Sequence, residues 1–182
     1  MNENILSLCD FRSLIGADIS LIADAIAALK WNKPVSNPES IYNQYLKEQT
    51  ENKRCVWTAW IGDSFVGYVT LKWFSDYQPF ATYNIPEIND LNVLPKFRQQ
   101  GIGSKLLDLA ETEASKRSSC VGLGVGLYAD YGEAQKLYIK RGYIPDGRGL
   151  TYKNKSVLPG ETVQVDDDLT LWLVKKVQQT TV

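Results

Sequence analysis

The stretch Leu91-Asn-Val-Leu-Pro-Lys-Phe-Arg-Gln-Gln-Gly-Ile-Gly-Ser-Lys-Leu-Leu107 reads as a strand end, a turn at Pro95, a short loop and the start of an amphipathic helix. Gly101 and Gly103 stand where that helix begins, and without Cβ atoms they let a ligand approach the backbone closely. The amide N–H groups of a first helical turn have no intrahelical partner and point outward at the positive end of the helix dipole. A segment built this way suits a phosphate group.

Upstream, Asn84 to Val93 reads as a strand, with Glu87, Asn89, Leu91 and Val93 on one face by the two-residue period. Downstream, a helix is expected from Gly101 to Lys116, burying Ile102, Leu106, Leu109 and Ala110 at i, i+4, i+7 and i+8. Cys120-Val-Gly-Leu-Gly-Val-Gly-Leu127 follows as a buried strand. Its glycines, Gly122, Gly124 and Gly126, lie inside the apolar run, whereas the glycines of a dinucleotide fingerprint occupy the turn after a strand. They are expected to yield room to a ligand or to neighbouring backbone. Tyr131 to Arg141 then forms a short helix that stops at Gly142.

The spacing Arg98-x-x-Gly101-x-Gly103, between a strand and a helix, resembles the acyl-CoA pyrophosphate loop of the GNAT family of N-acetyltransferases. Ala134-Gln-Lys-Leu-Tyr-Ile-Lys-Arg-Gly-Tyr143 resembles the family's other signature, a Leu-Tyr followed by Gly and an aromatic residue. The two pieces come in the family's order with one buried strand between them.

The resemblance implies a single domain over residues 1–182 with an α/β fold: a mixed, mostly antiparallel central sheet flanked by helices, its central strands splayed so that a pantetheine arm pairs with the free edge. It implies direct transfer of an acetyl group from acetyl-CoA to a primary amine of a small molecule or a protein, without a covalent enzyme intermediate and without a metal. Leu91, Asn92 and Val93 would run beside the cofactor, a backbone N–H of Leu91 or Val93 meeting the thioester carbonyl. Arg98, Gln99, Gln100, Gly101, Ile102, Gly103 and Ser104 would hold the pyrophosphate, mostly through main chain. Tyr131 stands where many relatives carry an Asn that touches the pantetheine. Dimerisation is common in the family, and nothing in this sequence demonstrates a homodimer.

Transfer to an alkyl amine, whose pKa lies near 10, needs a group that removes a proton. The chain contains no histidine, which removes imidazole bases, His-based triads and the usual zinc-hydrolase ligand sets. Near the loop the carboxylates are Glu87, eleven residues before Arg98 as in the family's histone-acetylating members, and Asp90, which by alternation points the other way. Glu87 ranks first; Asp90 and a water-mediated route stay open. Tyr138 matches the family's general-acid tyrosine, and a phenol with a reference pKa of about 10 is protonated at neutral pH.

The bulk properties agree with a globular protein of 182 residues, one domain in size. Its 20 basic and 21 acidic residues leave a net charge of −1 and no basic stripe, so no nucleic-acid partner is expected. No apolar run of about 18 residues marks a membrane span. The first residues, Met-Asn-Glu-Asn-Ile-Leu-Ser-Leu, lack the pattern of a secretion signal, and the expected location is the cytoplasm. Cys9, Cys55 and Cys120 fit neither a disulfide framework nor a zinc site and read as buried free thiols.

Elsewhere, Ile5 to Leu14 is expected as a strand and Ala17 to Lys30 as a helix, closed by Pro34. A second helix starts with Asn37 as its cap and Pro38 at its first position, and in the family it lies over the acceptor side. Cys55–Ile61 and Ser64–Leu71 form a hairpin about Gly62-Asp63. Phe74 to Tyr83 reads as a loop, which the family would place beside the acceptor. Leu150–Val157 and Thr162–Val165 are expected hairpin strands, Leu169–Val174 the last strand, and Lys175 onward a polar tail. Trp31, Trp57 and Trp60 suit core packing as well as a recognition role. Asp166-Asp-Asp168, with Asp76 and Glu87, suits either a cationic amine or a solvated acidic turn.

Two other function classes remain at this point. One is a non-catalytic acyl-CoA-binding sensor or interaction domain; the other is a dinucleotide-binding oxidoreductase built on the Gly122, Gly124 and Gly126 run.

Overall fold

The computed structural model describes residues 5–29 and 37–179. Met1 to Asn4, Lys30, Trp31, Pro34 and the end of the expected polar tail lie outside the described residues. The chain forms two compact units: Met1–Leu71 with Asp90–Ala110, and Lys72–Asn89 with Glu111–Val182.

In the first unit, β1 (Cys9–Ser13), β2 (Arg54–Ile61), β3 (Ser64–Lys72) and the second half of β4 (Glu87–Val93) are successive neighbours. β1 runs antiparallel to β2 from Cys9↔Ile61 to Ser13↔Trp57. The expected first strand is shorter than the sequence pattern suggests, because Ile5–Leu8 coil into a 3-10 turn. The hairpin of β2 and β3 turns at Gly62, whose φ is 55°. Helix α1 (Ile19–Ala27) is preceded by a 3-10 turn over Gly16–Asp18 and buries Ile19, Ile22 and Ala23. Asp18 holds this entry: its carboxylate takes both terminal nitrogens of Arg12, at 2.7 and 2.8 Å, and the Ile15 amide at 3.2 Å. Helix α2 (Pro38–Thr50) starts as expected, with the Asn37 side chain accepting from the Ser40 amide, a cap worth about 1 kcal/mol. The core of this unit is Leu14, Ile19, Ile22, Tyr42, Val56, Trp60, Phe65 and Tyr68. Trp60 therefore has a packing role.

The first half of β4 belongs to the second unit, whose strands neighbour in the order β4, β5 (Cys120–Gly126), β8 (Leu169–Lys176), β6 (Ile144–Tyr152), β7 (Lys155–Ser156). β4 and β5 are parallel, in register at Glu87↔Gly122, and the Gly122 amide donates to the Pro86 carbonyl at 2.9 Å. β5 and β8 are antiparallel along their length, from Cys120↔Lys176 to Gly126↔Thr170. β6 and β7 turn through Lys153 and Asn154, both left-handed at 52° and 62°, as a tight two-residue hairpin requires. The expected strand at Thr162–Val165 does not form, and the pairing of β6 with β8 shifts register between Pro145 and Leu150.

The expected loop from Phe74 to Tyr83 contains a short helix, α3 (Gln78–Tyr83), ended by the left-handed Asn84 at 51°. Six residues do not hold a helix by themselves. Phe80, 2% exposed, anchors this one between Tyr77, Trp172 and β5. Its ring lies so close to β5 that a Cβ on Gly122 would sit 2.1 Å from it. A Cβ on Gly124 would meet Thr170 and Trp172, and one on Gly126 the ring of Tyr131 at 2.4 Å. The glycines of β5 thus yield room to side chains, mostly aromatic rings, rather than to a ligand or to backbone, which removes the dinucleotide reading.

Helix α4 (Ile102–Ser115) and helix α5 (Gly132–Lys140) stand close to their expected bounds. In α4, Leu107 is fully buried with Ile102, Leu106 and Ala110, while Leu109 is half-buried. The three cysteines are free but partly exposed, not buried. Among the described residues no helix is long and apolar enough to cross a membrane, and no buried side-chain N or O atom lacks a partner.

Candidate functional site

In the first unit, β4 ends at Val93 and the chain makes a single 3-10 turn over Pro95–Phe97. Arg98 is extended, Gln99 is left-handed at 59° and Gly101 at 86°. Glycine is required at the last of these, because its φ lies where L side chains are strained. The Lys105 amide donates to the Gly101 carbonyl at 3.0 Å, so the Ile102 and Gly103 amides before it have no acceptor within the helix. The Arg98 Nε donates to the Val93 carbonyl at 2.9 Å, while the terminal nitrogens of this exposed guanidinium make no bond among the described residues. A helix start whose first amides have no intrahelical acceptor, beside a tethered arginine, offers donors of the kind a pyrophosphate takes.

Leu91, Asn92 and Val93 are half-buried. Just before them Asp90 has a φ of 55°. The alternation expected to place Glu87, Asn89, Leu91 and Val93 on one face is therefore interrupted within the strand. Asp90 accepts from the Tyr45 and Tyr68 hydroxyls, at 2.8 and 2.5 Å, and from the Asn92 amide at 2.6 Å.

In the second unit, Glu87 is 5% exposed. Its Oε2 accepts from the Ser75 hydroxyl at 2.5 Å and its Oε1 from the Asn89 amide at 3.0 Å. The Ser75 oxygen in turn accepts from the Tyr77 amide at 3.0 Å. The carboxylate is thus fixed at both oxygens, and each retains capacity for a further donor. The Tyr77 ring stacks on Trp172 with centroids 4.2 Å apart, and its hydroxyl donates to Asp146 at 2.8 Å.

Tyr138 is buried on α5, its ring edge-on to Tyr143 with centroids 5.9 Å apart. The Tyr143 amide donates to the Tyr138 carbonyl at 3.0 Å, and its hydroxyl reaches Glu111 at 3.1 Å. Glu111 also accepts from Arg141 at 2.8 Å and Lys175 at 2.6 Å. Burial first, then the Glu111 charge, push the Tyr143 phenol well above its ordinary range. Tyr143 is therefore a fixed protonated donor that braces the end of α5.

Tyr131 packs its ring on Gly126 and donates its hydroxyl to Asp167 at 3.0 Å. Tyr128 donates to the same carboxylate. Asp166 accepts from the Asp168 amide at 3.0 Å and the Tyr152 hydroxyl at 3.3 Å. The Asp166 and Asp167 carboxylates are therefore taken by their own neighbours, and Asp76 pairs with Lys72.

The model of the acetyltransferase (GNAT) family matches residues 23–143. The chain belongs to the acetyltransferase (GNAT) family. Solved structures share the fold of this acetyltransferase at low sequence identity. An N-acetyltransferase from Staphylococcus aureus superposes with a TM-score of 0.68 at 19% identity, over 92% of this chain and 98% of that one. YncA from Salmonella typhimurium, solved with its cofactor acetyl-CoA, gives 0.67 at 16% identity, over 96% and 97%. The PaiA N-acetyltransferase of Thermoplasma acidophilum, solved in complex with coenzyme A, gives 0.64 at 16% identity, over 92% and 98%. No curated protein matches the chain by sequence.

In this acetyltransferase the sequence pattern missed the groups that hold the carboxylates. Ser75 lies in a segment read as a loop, and only its pairing with Glu87 marks it. Tyr45 and Tyr68 belong to no motif in the sequence, yet both donate to Asp90. Gln135, whose amide ties α5 to the Gly126 carbonyl at 2.8 Å, carried no signal beyond its place beside the Leu-Tyr signature.

Proposed function

We propose that this GNAT protein transfers the acetyl group of acetyl-CoA to a primary amine, with Glu87 and Tyr138 as its proton-handling residues. The observation that carries the reading is the cradle at the start of α4, where left-handed Gln99 and Gly101 and the tethered Arg98 precede amides that have no acceptor in the helix. Arg98, Gln99, Gln100, Gly101, Ile102, Gly103 and Ser104 would hold the pyrophosphate, Leu91, Asn92 and Val93 the pantetheine arm, and Tyr131 its far end. Acetyl-CoA supplies the activated acetyl group.

The chain's own residues handle two protons. The amine is mostly protonated at neutral pH, and the Glu87 carboxylate takes its proton, directly or through one water. Ser75 and Asn89 fix that carboxylate, so orientation is set before substrate binds. The Tyr138 hydroxyl holds the proton that the departing thiol sulfur receives. We read both units as one catalytic domain working in the cytoplasm, with a homodimer as an assembly to be tested.

The test is CoA thiol release from acetyl-CoA with a panel of primary amines, small polyamines and lysine peptides included. The reading predicts release that depends on the amine and falls at least tenfold in Tyr138→Phe. Binding of acetyl-CoA with no release for any amine would make the chain a sensor; unchanged release in Tyr138→Phe would remove that residue's role alone.

A further inference from the structure

A non-glycine residue in the left-handed region is uncommon, and Asp is among the few that tolerate it, through bonds its short side chain makes nearby. Asp90 adopts this conformation in the middle of β4, at a φ of 55°. One such residue inside a strand breaks the pleat and re-aims the residues after it. In β4 those residues are Leu91, Asn92 and Val93.

The bonds that hold Asp90 come from three directions. Its Oδ2 accepts from the Tyr45 hydroxyl of α2 at 2.8 Å and the Tyr68 hydroxyl of β3 at 2.5 Å. Its Oδ1 accepts from the Asn92 side-chain amide at 2.6 Å, and that amide also reaches the Tyr68 hydroxyl at 3.3 Å. The donors are themselves fixed. Tyr68 is buried, and the Tyr42 ring stands edge-on to Tyr68 and Tyr45 at 5.7 and 6.1 Å. The Arg54 guanidinium lies 4.2 Å from the Tyr45 ring and bonds Glu48 and Thr70. Burial first, then the Asp90 charge, raise the Tyr45 and Tyr68 phenols, so both remain protonated donors.

The other end of the segment is also held. The Leu94 amide donates to the Val66 carbonyl at 2.9 Å. Next to Val66, Gly67 lets β3 run close: a Cβ there would sit 2.5 Å from the Asn92 carbonyl oxygen. With both carboxylate oxygens engaged, one of them twice, Asp90 is built to hold a backbone rather than to take a proton from an amine.

We infer that Asp90 is a positioning residue: its carboxylate, gripped by the Tyr45 and Tyr68 hydroxyls and the Asn92 amide, fixes the left-handed turn of β4 and so the path of Leu91–Val93. The inference rests on the proposed function, in which Leu91–Val93 carry the acetyl-CoA arm.

Four variants separate this role from a chemical one: Asp90→Ala, Asp90→Gly, Tyr45→Phe and Tyr68→Phe. Each is measured for acetyl-CoA Kd by calorimetry and for kcat and both KM values. Asp90→Ala is expected to raise the acetyl-CoA Kd and KM at least tenfold and to move the amine KM less than threefold. Asp90→Gly still permits the left-handed backbone but loses the carboxylate's grip, so its Kd is expected between those of the parent protein and of Asp90→Ala. Each Tyr→Phe variant raises it two- to fivefold, which keeps the test alive if Asp90→Ala does not fold. The inference is overturned if Asp90→Gly loses kcat as severely as Asp90→Ala at unchanged Kd, since Asp90 would then act as the base. It is equally overturned if all variants bind acetyl-CoA like the parent. A parent protein that binds no acetyl-CoA strikes the proposed function itself and takes the inference with it.

Discussion

Glu87 and Asp90 lie three residues apart on one strand, and their surroundings give them different work. Glu87 is buried, and each of its oxygens accepts one donor, from Ser75 and Asn89. Asp90 is half-buried in a left-handed turn and accepts three, two of them phenols on the same oxygen. A carboxylate offers about four acceptor positions, so Glu87 keeps room on both oxygens while Asp90 has one side full. What already bonds two candidate bases, and not their distance from a motif, decides their rank.

The largest effect is expected when the first carboxylate is neutralised. Glu87→Gln keeps the shape and the bonds of one oxygen, and the reading predicts a loss of kcat of roughly 10²-fold or more with acetyl-CoA affinity within threefold. Steady-state rates beside a binding titration check it, and an unchanged kcat would return the proton to water or to another group.

Next in size is a backbone test beside Glu87, at its register partner Gly122. A methyl group there meets the Phe80 ring, and the overpacking should cost about 1–3 kcal/mol in a denaturant melt. Phe80→Leu in the same chain should recover part of that loss. A Gly122→Ala protein as stable as its parent would mean that the ring moves aside freely.

Tyr68→Phe addresses the other carboxylate. It removes one donor to a charged acceptor and should cost about 1.5–3 kcal/mol of stability, with no larger effect on kcat than on acetyl-CoA binding. A loss confined to kcat would turn Asp90 from a holding group into a reacting one.

A further effect is alkaline. Burial first raises the Tyr42 phenol from 10.0 to about 12, and a hydrogen bond to Asp167, then burial, raises Tyr128 from 10.0 to about 12. A folded-state pKa above the unfolded one adds stability that is fully present below pH 10 and is lost as the pH rises toward 12. Melts between pH 9 and 12 should be level at first and then fall, with phenolate absorbance lagging behind that of the unfolded chain. Full ionisation near pH 10 in the folded protein would contradict both environments.

Much of the fold was legible because it rests on local chemistry. The Asn37-Pro38 helix start, the Gly62 hairpin, the loop before α4 and the Gly142 stop are each written in neighbouring residues, and each stands as read. The misses share a cause. Helix α3 exists because Phe80 finds Gly122 and Trp172, far along the chain. The turn at Asp90 exists because Tyr45 and Tyr68 reach it, and a period-two count carries no trace of them. The Thr162–Val165 run has strand composition but no partner strand, and composition alone does not supply one. At the candidate site, the motif residues were visible in the sequence and the groups that orient them were not.

Whether the segment before α4 serves acetyl-CoA is decided by a thermal melt of the purified protein with acetyl-CoA, free CoA and NAD in parallel. Ligand at 100 times its dissociation constant adds about 2.7 kcal/mol, so a clear rise in Tm is expected with acetyl-CoA or CoA, none with NAD, and a smaller rise in Gly101→Ala. No rise with either CoA species at millimolar concentration would mean that Arg98 to Ser104 is only a turn.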